Sequence, residues 1–300
     1  MFSWENKNES CAKAMIKHRK VKWLILLLLF FYACQNKQKE PLIIFHAGSL
    51  SPLMMDVEKN LPTVSFQTEA SGSVEALRKA ISLNKKCDIL MLSDVGLVDS
   101  LPLEKIKACY IFAYNKLVLV YNKKKFPFLS SNNLGSTLLN SRAKLGRSDP
   151  CLDPCGYRAL MALSVLAQKD TNARKLILAS KPFVRPKETD LNTFFELGEL
   201  DAFFTYRNIA EKHNYPYIEL PDSINFSNKN LENFYRNICI DMEECNKKVC
   251  GGCIAYVLMV LNDSSKENEL KEFISFLESD KGQTLIRKNG FIPTWEMCKK

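Results

Sequence analysis

Between Leu42 and Leu92 the chain alternates apolar runs with amphipathic ones, and this alternation constrains the fold more than any other feature. Leu42 to His46 is a short apolar run bounded by Pro41 and by Ala-Gly-Ser, which reads as a buried strand. A helix is expected from Ser49 to about Asn60, a second strand over Val64 to Gln67, and a helix opened by Ser71-Gly72-Ser73 with Glu75 in its first turn. Asp88 to Leu92 reads as a third strand. Strand, helix, strand, helix, strand in this order predicts an α/β fold with a mainly parallel sheet. Ligands of such sheets sit beyond the carboxyl ends of the strands, beside helix N-termini, and that is where Gly48, Ser49 and Ser73 fall.

A third helix start lies in GRSDPCLDPCGYRAL, residues 146–160. Pro154 excludes a helical Asp153 and pre-sets its own φ for a first turn, so Asp153 is the expected N-cap. The amides after it have no partner inside the helix. Each start is open to two readings, an ordinary capped helix or a donor set for an anion, since helix dipole and free N–H groups favour negative charge. Three such turns in one α/β chain favour a convergent anion site.

Further along, Ile111 to Asn122 is an apolar run long enough to leave one domain and enter another. Strands are expected at 143–146, 201–206, 217–220 and 254–261, with helices at 153–168, 190–197, near Leu231, and from Glu269 to Lys288. Two α/β lobes crossed more than once by the chain would leave a cleft between them, a preferred place for a small ligand. The length of 300 residues is sufficient for two cores.

The formal charge of +9 divides unevenly. Residues 1–33 hold six Lys/Arg against two Glu, and the remainder carries no basic cluster interleaved with aromatics, so a nucleic-acid partner is unsupported. Lys17, Arg19, Lys20 and Lys22 precede an unbroken apolar run from Trp23 to Ala33, too short for a bilayer, which needs ~20 residues. Residues 1–33 read as a signal peptide, with Met15 a candidate start. Ala33-Cys34 resembles a bacterial lipobox, so Cys34 is the expected lipidation site, residues 34–40 a tether, and the product a lipid-anchored protein facing the periplasm or cell exterior. Cys239, Cys245, Cys250 and Cys253 crowd one region. Cys250 and Cys253 have a spacing that could suit zinc or a redox pair, but in an exported chain at least one disulfide within the four is the simpler expectation.

FHAGSL, EASGSVEALRK, GRSDPCLDPCGYRAL, RPKETDL, GELDAFFTYRNIAEKHN and ELP together resemble the tungstate and molybdate substrate-binding proteins of ABC importers. The resemblance implies a two-lobed periplasmic-binding-protein type II fold, with 41–116 and 225–300 as one lobe and 117–224 as the other. It also implies an oxyanion held by donors at Gly48, Ser49, Ser73, Pro154 and Cys155, with Tyr235 alongside. Carboxylates at Asp153 and Glu219 would add to the metal centre and expand its coordination. A carboxylate facing a tetrahedral anion is repulsive in a dry cleft, so phosphate and sulfate are disfavoured unless a proton is shared. The implied partners are a permease and its ATPase; no cofactor and no catalysis are expected, and tungstate is not distinguished from molybdate. Ser93, Asp94 and Val95 stand where the family has an alanine-containing run, and the four crowded cysteines are also foreign to it. Other readings are a binding protein for phosphate or ferric iron, and a hydrolase with Cys155 as nucleophile and His46 as base.

Overall fold

The computed structural model describes residues 40–298. The signal peptide, the candidate start at Met15 and Cys34 lie outside the described residues. In chain order the strands are β1 (Leu42–Ala47), β2 (Phe66–Ser71), β3 (Ile89–Leu92), β4 (Ile106–Tyr114), β5 (Leu117–Tyr121), β6 (Leu145–Ser148) and β7 (Val184–Arg185). They continue as β8 (Ala202–Tyr206), β9 (Tyr217–Glu219), β10 (Cys239–Met242), β11 (Lys247–Cys250), β12 (Ala255–Leu261) and β13 (Ile292–Met297).

Two sheets build two lobes. The first has the order β13-β4-β12-β3-β1-β2 and the second β7-β6-β8-β5-β9. β1 lies parallel to β2 and β3, as near-continuous apolar strands covered on both faces do. β12 then closes the first sheet antiparallel to β3 and β4. Strands from both chain ends meet in the first sheet, so the chain leaves that lobe after β4 and returns at β12.

The departure point is sharp. The apolar run expected over 111–122 is divided at Asn115-Lys116 into β4 of one sheet and β5 of the other. Buried Asn115 explains the break, because its side chain accepts from the Lys116 amide at 2.8 Å and donates to Asn208 of the second lobe at 2.8 Å. A polar residue that fixes its own backbone ends a strand that apolar patterning alone would continue.

The helix expected over 269–288 is likewise two, Glu267–Glu278 and Asp280–Lys288. Ser279 adopts an extended backbone and caps the second helix, its Oγ accepting from the Gly282 amide at 3.2 Å. Gly282 allows the sharp corner, since a Cβ there would run into the Phe276 carbonyl.

The crowded cysteines form a hairpin in which β10 and β11 face each other in register at Cys239 and Cys250, and these two are disulfide-bonded. Cys250 is therefore not paired with Cys253, which is a buried thiol that burial pushes up to about 12. Cys245 bonds to Cys151, and Cys109 to Cys298. The hairpin lies in the segment that the sequence reading gives to the first lobe, yet it packs on helix Pro154–Leu166, and Cys245 bonds the loop just before that helix. Helix Pro154–Leu166 itself packs on β5, β6 and β8 of the second lobe.

Candidate anion cleft

The turn after β1 does not open the long helix at Ser49. Gly48–Leu50 forms a 3-10 turn, and the α-helix starts at Ser51 with Pro52 in its first positions. Ser49 is thereby freed from capping. Its Oγ hydrogen-bonds the Tyr256 hydroxyl at 2.8 Å, and its carbonyl accepts from Asn208 of the second lobe at 2.9 Å. Gly48 meets the second lobe directly, for a Cβ there would lie 2.7 Å from Thr189 Oγ1. Only glycine permits that approach.

The helix after β2 starts at Ser73, so Ser73 is its first residue rather than its cap. Its hydroxyl is turned to Ser93, accepting from the Ser93 amide at 3.0 Å and sharing a hydrogen bond with the Ser93 hydroxyl at 3.0 Å. The first free amides of this helix, Val74 and Glu75, donate to the Leu152 carbonyl at 3.1 and 3.2 Å. A loop of the second lobe thus fills the helix N-terminus, and the two lobes meet here.

One residue further, Asp153 caps its helix as the sequence predicts: Oδ1 accepts from the Cys155 amide at 3.0 Å. Its other oxygen, Oδ2, accepts from the amide of Glu188 at 2.8 Å. Asp153 and Glu188 are each 2% exposed, and Glu188 Oε1 is buried with no hydrogen-bond partner. Burial raises the Asp153 pKa against the pull of the two amides. Glu188 is pushed well above the usual glutamate value, first by burial and then by the charge of Asp153. The pair therefore keeps a proton to higher pH than separate carboxyls would.

Glu188 is the buried carboxyl beside Asp153 that sequence reasoning did not single out. Its signal was present, since RPKETDL stands among the recurring motifs and carries a carboxylate, but ELP was read as the donor of the second carboxyl. The structure does not bring Glu219 to Asp153. Glu219 ends β9 with its side chain 48% exposed, paired to Lys116 at 2.6 Å and to Arg207 at 3.9 Å. Tyr235 is fully buried, but its hydroxyl donates to the Asp222 carbonyl and accepts from the Asn228 amide at 3.3 Å, and its ring packs on Phe226.

Pro154 occupies the first helical position and is buried with Cys155. The Cys155 thiol donates weakly to the Phe204 carbonyl at 3.8 Å. Burial, with the charges of Asp153 and Glu188, raises its pKa well above the usual thiol value, the opposite of what a nucleophile needs. His46 is committed to the Ala47 carbonyl at 2.8 Å, and burial lowers its pKa. The thiol and the imidazole of the hydrolase reading are thus each hydrogen-bonded elsewhere.

On the helix that Asp153 caps lies Arg158, 1% exposed. Its Nη1 donates to the Ser93 carbonyl and the Tyr206 hydroxyl, both at 2.9 Å, and its Nη2 pairs with Asp94 at 3.0 Å. Tyr157 donates its hydroxyl to the same Asp94 oxygen. Arg158 was not singled out from the sequence, where a lone arginine on an apolar helix carries no distinctive spacing.

Two lobes of α/β structure with buried polar groups gathered between them define a solute-binding protein of the periplasmic type. The chain belongs to the family of bacterial extracellular solute-binding proteins, whose pattern it matches over residues 42–292. It is 35% identical to the molybdate/tungstate-binding protein WtpA of Pyrococcus abyssi over 83% of each chain. It is 32% identical to the protein of the same name from Thermococcus kodakarensis, over 89% of this chain and 88% of that one. Among solved structures, the periplasmic molybdate-binding protein of Azotobacter vinelandii superposes with a TM-score of 0.62 at 12% identity, over 83% of this chain and 98% of that one. At that identity the likeness speaks to fold alone. The family's members are solute-binding proteins rather than enzymes, and the ligand takes the place of any cofactor.

Proposed function

We propose that the chain is the exported binding component of an ABC importer for tungstate or molybdate. The observation that carries this reading is the Asp153–Glu188 pair, two carboxyls buried together where the lobes meet, joined by an amide hydrogen bond of 2.8 Å. Such a pair is a poor receptor for sulfate or phosphate, whose saturated centres offer only negative oxygens. It suits an oxyanion whose metal centre can accept two further oxygens. Attraction of the right anion and repulsion of the wrong one then act through the same atoms. In this reading Glu188, rather than Glu219, joins Asp153 on the metal centre, while Ser49, Ser73 and the Cys155 amide, which Asp153 Oδ1 holds before the anion arrives, supply hydrogen bonds to the oxygens. The names of the relatives at 35% and 32% identity support the same ligand class. A lipid anchor at Cys34 and delivery to a membrane permease, with an ATPase supplying the energy, complete the proposal.

Calorimetric titration of residues 38–300 with tungstate, molybdate, sulfate and phosphate tests it. Tight binding of the first two with little of the last two is the expected result. Equal binding of all four, or of none, overturns the proposal.

A further inference from the structure

We propose that Asp94 is a positioning residue of the cleft: it draws Arg158 across from the second lobe, ties the lobes in the closed state, and withholds the guanidinium from any bound anion. The inference deepens the oxyanion reading, and only its ligand readout rests on it.

The geometry is that of a tie with one end in each lobe. Asp94 follows β3 of the first sheet, and its Oδ1 is fixed within that lobe by the Gly96 amide at 2.9 Å. Its Oδ2 faces only second-lobe groups among its described contacts, Arg158 at 3.0 Å and the Tyr157 hydroxyl. Both partners project from helix Pro154–Leu166, the helix that Asp153 caps. A second strand of the tie runs from Arg158 Nη1 to the Ser93 carbonyl at 2.9 Å, and Ser93 in turn holds the hydroxyl of Ser73. The groups expected to touch the anion are thereby coupled to the groups that bridge the lobes.

Charge explains why the acid matters. A buried guanidinium with free donors next to an anion cleft would bind sulfate or phosphate through charge-assisted hydrogen bonds. Here the Ser93 carbonyl and Tyr206 take the Nη1 donors, and Asp94 compensates the charge at Nη2, which is buried without a hydrogen-bond partner. Removing the carboxylate leaves Arg158 an uncompensated buried cation in the closed form, and opening relieves this by returning the guanidinium to water.

The test compares the wild-type protein with Asp94→Asn and Asp94→Glu, all checked by thermal unfolding for a cooperative transition. Small-angle X-ray scattering without ligand is expected to show a larger radius of gyration for Asp94→Asn than for wild type, restored to the wild-type value by saturating tungstate, with Asp94→Glu staying compact. Titration is expected to show tungstate affinity weakened at least about tenfold in Asp94→Asn and a sulfate affinity strengthened by about the same factor. An unchanged radius with a tungstate Kd within about twofold of wild type overturns the tie. Sulfate binding no better than wild type overturns the withholding of charge. If the wild-type protein binds no oxyanion, the functional reading fails while the scattering comparison still decides whether Asp94 holds the lobes together.

Discussion

Two buried carboxylate sites in this molecule are built on opposite plans. Asp88, whose side chain is 4% exposed, pairs with Lys266 at 2.7 Å and accepts from the Ile43 amide at 2.7 Å. Burial alone would raise its pKa, but the ammonium and the amide outweigh it and the net shift is downward. Asp153 is as deeply buried and has another carboxyl, Glu188, for a neighbour, and its pKa goes up. The first site is electrostatically complete within the chain. The second is complete only with a proton or with something brought from outside. A carboxylate buried with its counter-ion serves the fold, whereas two buried with each other fit the ligand role proposed for them above.

That contrast is sharpest when each site loses its acid. Asp88→Ala strands Lys266 in the core, and breaking a buried pair this way costs about 3–5 kcal/mol. A fall in Tm of roughly 10 °C with an unaltered tungstate Kd is expected from scanning calorimetry and titration. Asp153→Ala and Glu188→Ala should behave inversely. Each is expected to weaken tungstate binding about a hundredfold, ~2.7 kcal/mol, while the unliganded protein loses little stability. Parallel losses of stability and affinity at both sites would erase the distinction.

The two sites also oppose each other in pH. Asp88, with its folded pKa below the ordinary 3.8, contributes stability that is present above that value and lost as pH falls through the folded pKa. Glu188, with its folded pKa well above the ordinary 4.5, holds a proton that the unfolded chain has already released. Its contribution is therefore full below 4.5 and is lost as pH rises toward the folded value. Unliganded protein followed by Tm against pH should lose stability over that upper window, by about 1.4 kcal/mol for each unit the pKa is raised, and Glu188→Gln should flatten the slope. A wild-type profile that is already flat there would mean that the pair carries no extra proton.

Much of this was legible from residue order. The apolar run at β1, the Gly-Ser turns and the Asp153-Pro154 start each carry a local rule, and local rules survive folding. Ser49 and Ser73 lie at the turns after β1 and β2 as expected, but a 3-10 turn keeps the first from capping and a helix beginning at Ser73 keeps the second from it. The break at Asn115 and the corner at Ser279 were hidden because a single polar residue inside an apolar pattern changes the pattern little. Arg158, Asp94 and Glu188 were hidden for a different reason. Their partners are remote in sequence, at separations of 35 for Glu188 to Asp153 and 64 for Arg158 to Asp94, and no periodicity encodes contacts of that kind.

Glu219 gives the smallest predicted effect and separates reading by motif from reading by geometry. The ELP motif nominates it as the second carboxylate on the metal centre. Its position nominates it as a surface acid, 48% exposed and paired with Lys116 and Arg207 at the end of β9. Exposed pairs contribute about 0–1 kcal/mol because water and salt screen them. Glu219→Ala is accordingly expected to leave the tungstate Kd within about threefold of wild type and Tm within a few degrees. A hundredfold loss in this variant would return the second carboxylate to Glu219. Since Lys116 adjoins Asn115 at the crossing between the sheets, such a loss would also require the lobes to move so that β9 swings into the cleft when the anion arrives. The unliganded Asp153–Glu188 pair would then be a resting arrangement, with Glu219 replacing Glu188 on binding. Titration of Glu188→Ala and Glu219→Ala side by side therefore decides which acid completes the site.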